Sequence, residues 1–332
     1  MKVATVDAGP VGRSAAAAIE AAEGRAWIDL YSAAPTGWAA DAGLMAEERD
    51  GTVVLQWAAT GRRYFTRAIG LGVTGPATES SLDEILGGFE KAGIDMFLLQ
   101  SLPHCLPAEY EEWLVARGLE PFDAQDRVVR GDGPPVLDDS AGRTDRELKV
   151  ERVTAATADE WAEFLQSVYR LDTGPWLQRL IGRRGWHQCI AREEGRIVGA
   201  RGMYIGIDGA AWLGMDGPVP GLTTDDYEPD AAICAHLVAH GIANGARSFL
   251  ADIEAPSPDL DTPSYRYFGR LGFHRPYVRT HWARLGAFAG YELGEAQGGV
   301  DESVDRNEGC ECLEPGGVQD RAGEEDAGES DH

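Results

Sequence analysis

The stretch SYRYFGRLGFHRPYVRTHW, residues 264–282, decides the fold of this chain. Thr262 and Pro263 precede it as an N-cap and a proline at the first helical position, so a helix is expected to begin here. Gly272 is expected to end that helix, because glycine readily adopts the left-handed conformation that closes many helices. The residues from Pro276 onward are typical of a strand. The stretch therefore predicts a helix, a glycine stop and a final strand.

A strand meander and two helices precede this unit. Strands are expected at 149–153, 186–193, 196–206 and 210–219, with a hairpin turn at Glu194-Gly195. Helices are expected around 158–168 and 230–246, and a further strand at 247–253.

The first half of the chain shows a similar order of elements. It gives a strand at 2–6, a helix from Ser14, a hairpin turn at Asp50-Gly51, a strand at 64–73 and a helix capped by Ser81 and Glu84. An offset of 154 aligns the ends of the two halves, so that Gly118 matches Gly272, Leu119 matches Phe273 and Trp113 matches Tyr267. This pattern predicts an internal duplication. A meander between helices favours an α+β fold with a mixed, largely antiparallel sheet in each half.

Composition shifts divide the chain into four segments. Two globular domains are expected at 1–130 and 149–288, each flanking its sheet with helices. Residues 131–148 are rich in Gly, Pro and Asp, which is typical of a linker. Residues 289–332 are acidic and Gly-rich, which predicts a disordered tail.

The charge balance excludes two classes of partner. The chain has 30 Lys and Arg against 55 Asp and Glu, a net charge of −25. A surface this acidic repels nucleic acid and anionic membranes. We find neither an apolar run long enough to span a membrane nor a secretory signal, so a cytoplasmic protein is expected.

Metal and nucleotide motifs are weak. Cys310 and Cys312 are a lone pair, and His236 and His240 lie on one helix face without a third ligand, so no metal site is predicted and the histidines are expected to face solvent. The segment GLGVTG, residues 70–75, matches a dinucleotide pattern, but its glycines do not open a helix, so a structural role is favoured.

The meander, the helix at 230–246 and the unit at 264–282 together resemble the GNAT superfamily of N-acetyltransferases. The resemblance covers roughly residues 149–288, and the first half resembles a second, diverged copy in a tandem arrangement. It implies acetyl-CoA as co-substrate, threaded between the fourth and fifth strands of the fold.

The resemblance also implies which residues bind the cofactor. The pantetheine arm would follow the edge of the fourth strand at Met215, Gly217 and Val219, and Thr223 and Thr224 would meet the pyrophosphate. Phe268 stands where the family carries a catalytic tyrosine. The family's glycine-rich phosphate pattern is missing from GLTTDDYEPDAA, residues 221–232, whose carboxylates repel a pyrophosphate.

Aminolysis of a thioester needs a base to deprotonate the amine and an acid for the departing thiolate. Asp216 and Glu254 are the candidate bases, each with an ordinary strand-end carboxylate as the alternative. Tyr265 is the candidate acid, because it lies three residues before Phe268 on the same helix face.

These observations predict an N-acetyltransferase that acts on a small-molecule amine. The alternative is a catalytically inactive GNAT-derived protein that binds a ligand or regulates a partner. Binding of acetyl-CoA discriminates between the two.

Overall fold

A computed structural model of the chain describes residues 11–60, 62–133, 147–218, 228–254 and 263–284. Within these residues there are seven α-helices and eleven β-strands. The helices are α1 (Arg13–Ser32), α2 (Thr36–Ala42), α3 (Glu79–Lys91), α4 (Tyr110–Ala116), α5 (Ala158–Tyr169), α6 (Glu228–Ala243) and α7 (Pro263–Arg270). The strands are β1 (Leu44–Arg49), β2 (Thr52–Trp57), β3 (Arg67–Ile69), β4 (Leu98–Ser101), β5 (Glu120–Gly131), β6 (Lys149–Arg152), β7 (Trp186–Glu193), β8 (Arg196–Ile205), β9 (Ala210–Pro218), β10 (Ser248–Glu254) and β11 (His274–Ala283).

All eleven described strands form one sheet, in the order β1-β2-β3-β4-β11-β5-β10-β9-β8-β7-β6. Only two of the described neighbouring pairs, β3 with β4 and β9 with β10, are parallel. The predicted fold class, α+β with a mixed and largely antiparallel sheet, is confirmed.

The last strands of the two halves exchange places. Strand β11 lies between β4 and β5, which both belong to the first half, whereas β5 pairs with β10 of the second half. The sequence predicts a sheet in each half but not this exchange, which joins the two into one. The boundaries at 131 and 149 stay predictions, and the tail 289–332 lies outside the described residues.

Equivalent backbone signals recur in both halves. Asp50-Gly51 and Glu194-Gly195 both have positive φ angles and turn β1 into β2 and β7 into β8. At the end of α4, Leu119 N–H donates to Leu114 O, and at the end of α7, Phe273 N–H donates to Phe268 O. These two closures lie 154 residues apart, as expected for a duplicated unit.

Helices cover both faces of the sheet. On one face α1, α2 and α5 bury an aromatic core that includes Trp27, Trp57, Trp176 and Trp212. On the other face α6 and α7 pack over the second half, and α3 and α4 over the first.

A group of six charged side chains, five of them buried and Asp252 partly exposed, lies where the exchanged strands meet α1 and is here named the central ion cluster. Its members are Glu20 and Glu23 of α1, Arg67 of β3, Arg127 of β5, Asp252 of β10 and Arg279 of β11. Three positive charges balance three negative ones. Burial alone raises the pKa of Glu23, but Arg127, Arg279 and Arg67 together lower that pKa well below its usual range.

One predicted strand is wrong in extent. The run at 64–73 forms a strand only over Arg67–Ile69, and Gly70 and Gly72 that follow have φ angles of 82° and 79° in a buried turn. Glycine conformation ends the strand although the sequence stays apolar.

Candidate active site

Strands β9 and β10 begin side by side and then part. Their parallel pairing runs from Ala210 opposite Ser248 to Trp212 opposite Leu250. Beyond these residues β9 stays paired with β8 and β10 stays paired with β5 as far as Glu254. The edge of β9 that faces β10 is therefore released from Leu213 onward.

Strand β9 also carries a β-bulge beside this opening. Ala200 pairs with Gly217 and Gly202 with Gly214, so Met215 and Asp216 both lie opposite Arg201. Met215 has a φ of 52°, which is rare for a residue with a side chain. Bulges of this kind redirect side chains next to active sites. Here the bulge buries Met215 on the α1–α5 face.

Helix α5 approaches β9 closely at the bulge. A Cβ atom on Gly217 would lie 3.1 Å from side-chain carbons of Leu165 and Val168, so any larger residue would require these side chains to shift slightly. The Tyr169 hydroxyl donates a 2.7 Å hydrogen bond to the backbone oxygen of Asp216. The end of α5 is thus attached to the released strand.

Arg201 of β8 lies opposite the bulge and pairs with two carboxylates. Its guanidinium is almost fully buried and donates two bonds to Asp230, at 2.8 and 2.9 Å, and it lies 3.4 Å from the half-exposed carboxylate of Asp216. The Tyr267 hydroxyl donates to the same Asp230 carboxylate. Because Asp230 lies in the first turn of α6 and Tyr267 in α7, this Arg201 cluster (Arg201, Asp216, Asp230 and Tyr267) links two strands and two helices.

Phe268 is fully buried beneath this cluster. Its ring stacks on Tyr267 at 4.6 Å, meets the edge of Phe273 at 4.9 Å, and lies 6.0 Å from the Arg201 guanidinium. Its environment is apolar core and a cation, and its ring has no proton to give.

Comparisons with known proteins identify the fold. No protein-family model and no curated protein sequence matches the chain. A GCN5-related N-acetyltransferase from Kribbella flavida superposes with a TM-score of 0.52 at 13% identity, covering 80% of this chain and 95% of that one. The chain has the GNAT fold. The resemblance drawn from the strand meander, the helix at 230–246 and the unit at 264–282 is confirmed at this level.

Other solved structures with the GNAT fold match less closely. One is a GCN5-related N-acetyltransferase from Sphaerobacter thermophilus, with a TM-score of 0.47 at 14% identity over 70% of this chain and 79% of that one. Another is a tandem GNAT protein from the clavulanic acid biosynthesis pathway, with a TM-score of 0.42 at 16% identity over 69% of this chain and 72% of that one.

In the second half, β9 and β10 are the fourth and fifth strands of the GNAT fold. The predicted residues Met215, Asp216 and Gly217 lie at the bulge, and Arg201 connects Asp216 with Phe268. The separation of the two strands is where the GNAT resemblance implies that a cofactor passes.

The other predicted site residues are only partly described. Glu254 is the last residue of β10, opposite Gln125, and its side chain lies outside the described part of the chain. The Tyr265 backbone belongs to α7, with its side chain likewise outside. Val219, Thr223 and Thr224 fall in the segment 219–227, which lies outside the described residues.

The glycine pattern at 70–75 lies between β3 and α3. Gly72 lies seven residues before α3, and the turn is buried. A Cβ on Gly70 would lie 3.1 Å from the Gly51 carbonyl oxygen, so this glycine serves the packing of two turns. Arg67, three residues before the pattern, belongs to the central ion cluster. Among the residues that the structure covers, this segment therefore has a packing role.

His240 differs from its expected position in solvent. Its Nε2 atom lies 3.0 Å from Nδ1 of the partly buried His187 on β7. Burial and the neighbouring His240 lower the pKa of His187 to about 4. Within the described residues, no group of three or more ligand-type side chains could hold a metal ion, and no helix is long and apolar enough to cross a membrane.

Proposed function

We propose that the second half of the chain transfers an acetyl group from acetyl-CoA to a small-molecule amine. The observation that carries this proposal is the parting of β9 from β10 after Trp212 and Leu250, with the Met215–Asp216 bulge beside the opening. Beyond Trp212 this edge of β9 has no ladder pairing with β10, so its peptide groups could bond the amide-containing pantetheine arm. Three described cysteines, Cys105, Cys189 and Cys234, are free and buried, which fits the reducing cytoplasm.

In this proposal the cofactor arm follows Met215, Gly217 and Val219, and Thr223 and Thr224 donate to the pyrophosphate. The thioester then lies at the bulge, where the acceptor amine attacks the carbonyl carbon and the CoA thiolate leaves. Holding the amine beside the thioester supplies much of the acceleration, because a bimolecular step becomes effectively unimolecular.

Two carboxylates are proposed as alternatives for the base. Asp216 is half exposed beside the opening, and its carboxylate lies 3.4 Å from the Arg201 guanidinium. Glu254 ends β10 on the other side of the opening. Tyr265 is the proposed acid, since Phe268 cannot supply a proton.

The alternative is a GNAT-derived protein that binds or regulates without catalysis. It is favoured by the Arg201 cluster, because Asp230 ties the first turn of α6 to both Arg201 and Tyr267. The charges of Asp216 and Asp230 exceed that of Arg201 by one, so the cluster is net negative close to a helix N-terminus that would otherwise attract phosphate.

Calorimetric titration of the full chain with acetyl-CoA, at low salt and at molar KCl, separates the two functions. We expect acetyl-CoA to bind in high salt, where the carboxylates of residues 221–232 are screened. We also expect Asp230→Asn to bind it more tightly than the wild type, because this substitution removes one repulsive charge. Absence of binding at both salt concentrations, for the wild type and for Asp230→Asn, would falsify the transferase.

If acetyl-CoA binds, release of CoA thiol in the presence of small amines tests the base. Asp216→Asn or Glu254→Gln should lower turnover by about 10²–10⁴-fold, the usual contribution of a general base, while the cofactor still binds. Asp95→Asn, an exposed substitution in the first half, serves as the matched control. Full turnover by both site variants rules out both assignments.

A further inference from the structure

A cavity of about 340 Å³ lies between the end of α2, the end of β2 and the segment that follows α5. Its lining residues are Trp38, Asp41, Ala42, Trp57, Ala59, Thr60, Leu171 and Asp172. Its volume falls within the range of small-molecule sites. The proposed function does not use this cavity.

Indole rings form the apolar part of the wall and are held in place. Trp38 and Trp57 lie 6.0 Å apart at 64°, and Trp176 packs against both, at 5.9 and 5.3 Å. Behind Trp38, a Cβ on Gly174 would lie 2.5 Å from the indole nitrogen, so the backbone there is in direct contact with the ring. Rigid indoles give the strongest cation–π attraction of the aromatic side chains.

The polar part of the wall is negative. Asp41 and Asp172 line the cavity, and its described lining contains no Lys or Arg. The Gly174 N–H donates to Asp172 Oδ1 at 2.8 Å, which orients that carboxylate. Helix α2 ends at Ala42 and α5 ends two residues before Leu171, so the negative ends of two helix dipoles also lie close to the cavity.

We propose that this cavity binds an organic ammonium ion. The two carboxylates supply charge, the partly exposed indole of Trp38 supplies a cation–π surface, and the volume suits a small molecule of choline's size. Anionic ligands are repelled, and a neutral ligand of the same shape gains only the apolar contact. Binding requires neither acetyl-CoA nor catalysis, so this proposal stands or falls separately from the proposed function.

Calorimetric titration of the full chain, without acetyl-CoA, compares choline with its neutral isostere 3,3-dimethyl-1-butanol. The two have nearly the same shape and differ in charge. We expect choline to bind roughly tenfold more tightly than the alcohol, because the contact with Trp38 and the two carboxylates both favour the cation. Equal affinities would show an apolar cavity without cation recognition and overturn the proposal, as would the absence of choline binding.

Two variants place the binding in this cavity. Asp172→Asn keeps an oxygen that can accept from Gly174 but removes the charge, and Trp38→Leu removes one ring; each should weaken choline binding roughly tenfold. Asp95→Asn is the matched control and should bind choline like the wild type. Unchanged affinity in Asp172→Asn, the milder substitution, would show that choline binds elsewhere and would contradict the proposal even if Trp38→Leu failed to fold.

Discussion

Arg279 and Arg127 bring positive charge to the centre of the sheet, where neither touches water. Each is balanced by carboxylates of α1 and β10, and Tyr277 donates a further hydrogen bond to Glu20 at 2.7 Å. A buried network of this kind adds little net stability compared with apolar packing, but removing one member leaves a charge without compensation.

Arg279→Met should therefore destabilise the protein by about 3–5 kcal/mol, the usual cost of breaking a buried pair from one side. Urea unfolding measures the loss. The control is Arg49→Met, which removes the exposed contact with Glu47 and should cost at most about 1 kcal/mol. Equal costs for the two variants would show that the central ion cluster is hydrated and not held by charge pairing.

At this scale the sequence predicts backbone signals better than side-chain networks. The sequence predicts the turns at Gly51 and Gly195 and the helix ends at Gly118 and Gly272, because a positive φ is a local requirement. The sequence does not predict the cluster of Arg201, Asp230 and Tyr267, because these residues meet only through tertiary folding and no short spacing marks them. The one signal for Arg201 is an arginine in the middle of a mostly apolar strand.

Helix termini show how a local rule operates in a particular element. The structure caps α3 with Thr78, whose side chain accepts from Ser81 N–H, so the predicted cap at Ser81 is wrong by three residues. Thr78 and Ser81 both suit the N-cap position. Which of them caps the helix depends on where the preceding turn ends. The helix itself was predicted.

The end of α7 permits a matched test of glycine conformation. Gly272 has a φ of 83° and Gly269 lies inside the helix, and a Cβ on either would meet no atom within 4 Å. Gly272→Ala should destabilise by about 1–2 kcal/mol through backbone strain, whereas Gly269→Ala should stabilise by about 0.4–1 kcal/mol. Thermal unfolding of both variants decides this, and the same sign for both would contradict the conformational explanation.

The strand at 64–73 illustrates why an apolar run misleads. YFTRAIGLGV has strand-like composition, but it forms a 3₁₀ turn, a three-residue strand and a buried turn in succession. Hydrophobic residues indicate burial, and the 3₁₀ turn, the strand and the following turn are all largely buried. Only Gly70 and Gly72 distinguish them, and a Cβ on these residues would meet the Gly51 carbonyl oxygen and the Leu106 side chain respectively.

The molecule as a whole depends on the exchange of β5 and β11. In the described residues β11 pairs only with strands of the first half, and β5 lies between two strands of the second. Neither half keeps a complete sheet without the other. Amphipathic patterning predicts a strand's faces but not its neighbours, so the exchange could not be predicted from the sequence.

Cleaving the chain within residues 134–146 tests this dependence. We expect the two fragments to stay associated through gel filtration and to separate only in denaturant, because β5 and β11 each have neighbours in the other fragment. Each fragment expressed alone should lack a cooperative unfolding transition. A cooperative transition in either isolated fragment would show that the halves fold independently.

The same exchange delays the folding of the newly made chain. Strand β5 ends at residue 131, yet its partners begin at Ser248 and His274, so its pairing spans well over a hundred residues of sequence. At translation rates of about 5–20 residues per second, both edges of β5 stay unpaired for roughly 6–25 s until β10 is made, and one edge stays unpaired until β11 follows. Contacts this distant along the chain slow folding. The nascent protein therefore depends on protection from aggregation until nearly its last strand leaves the ribosome.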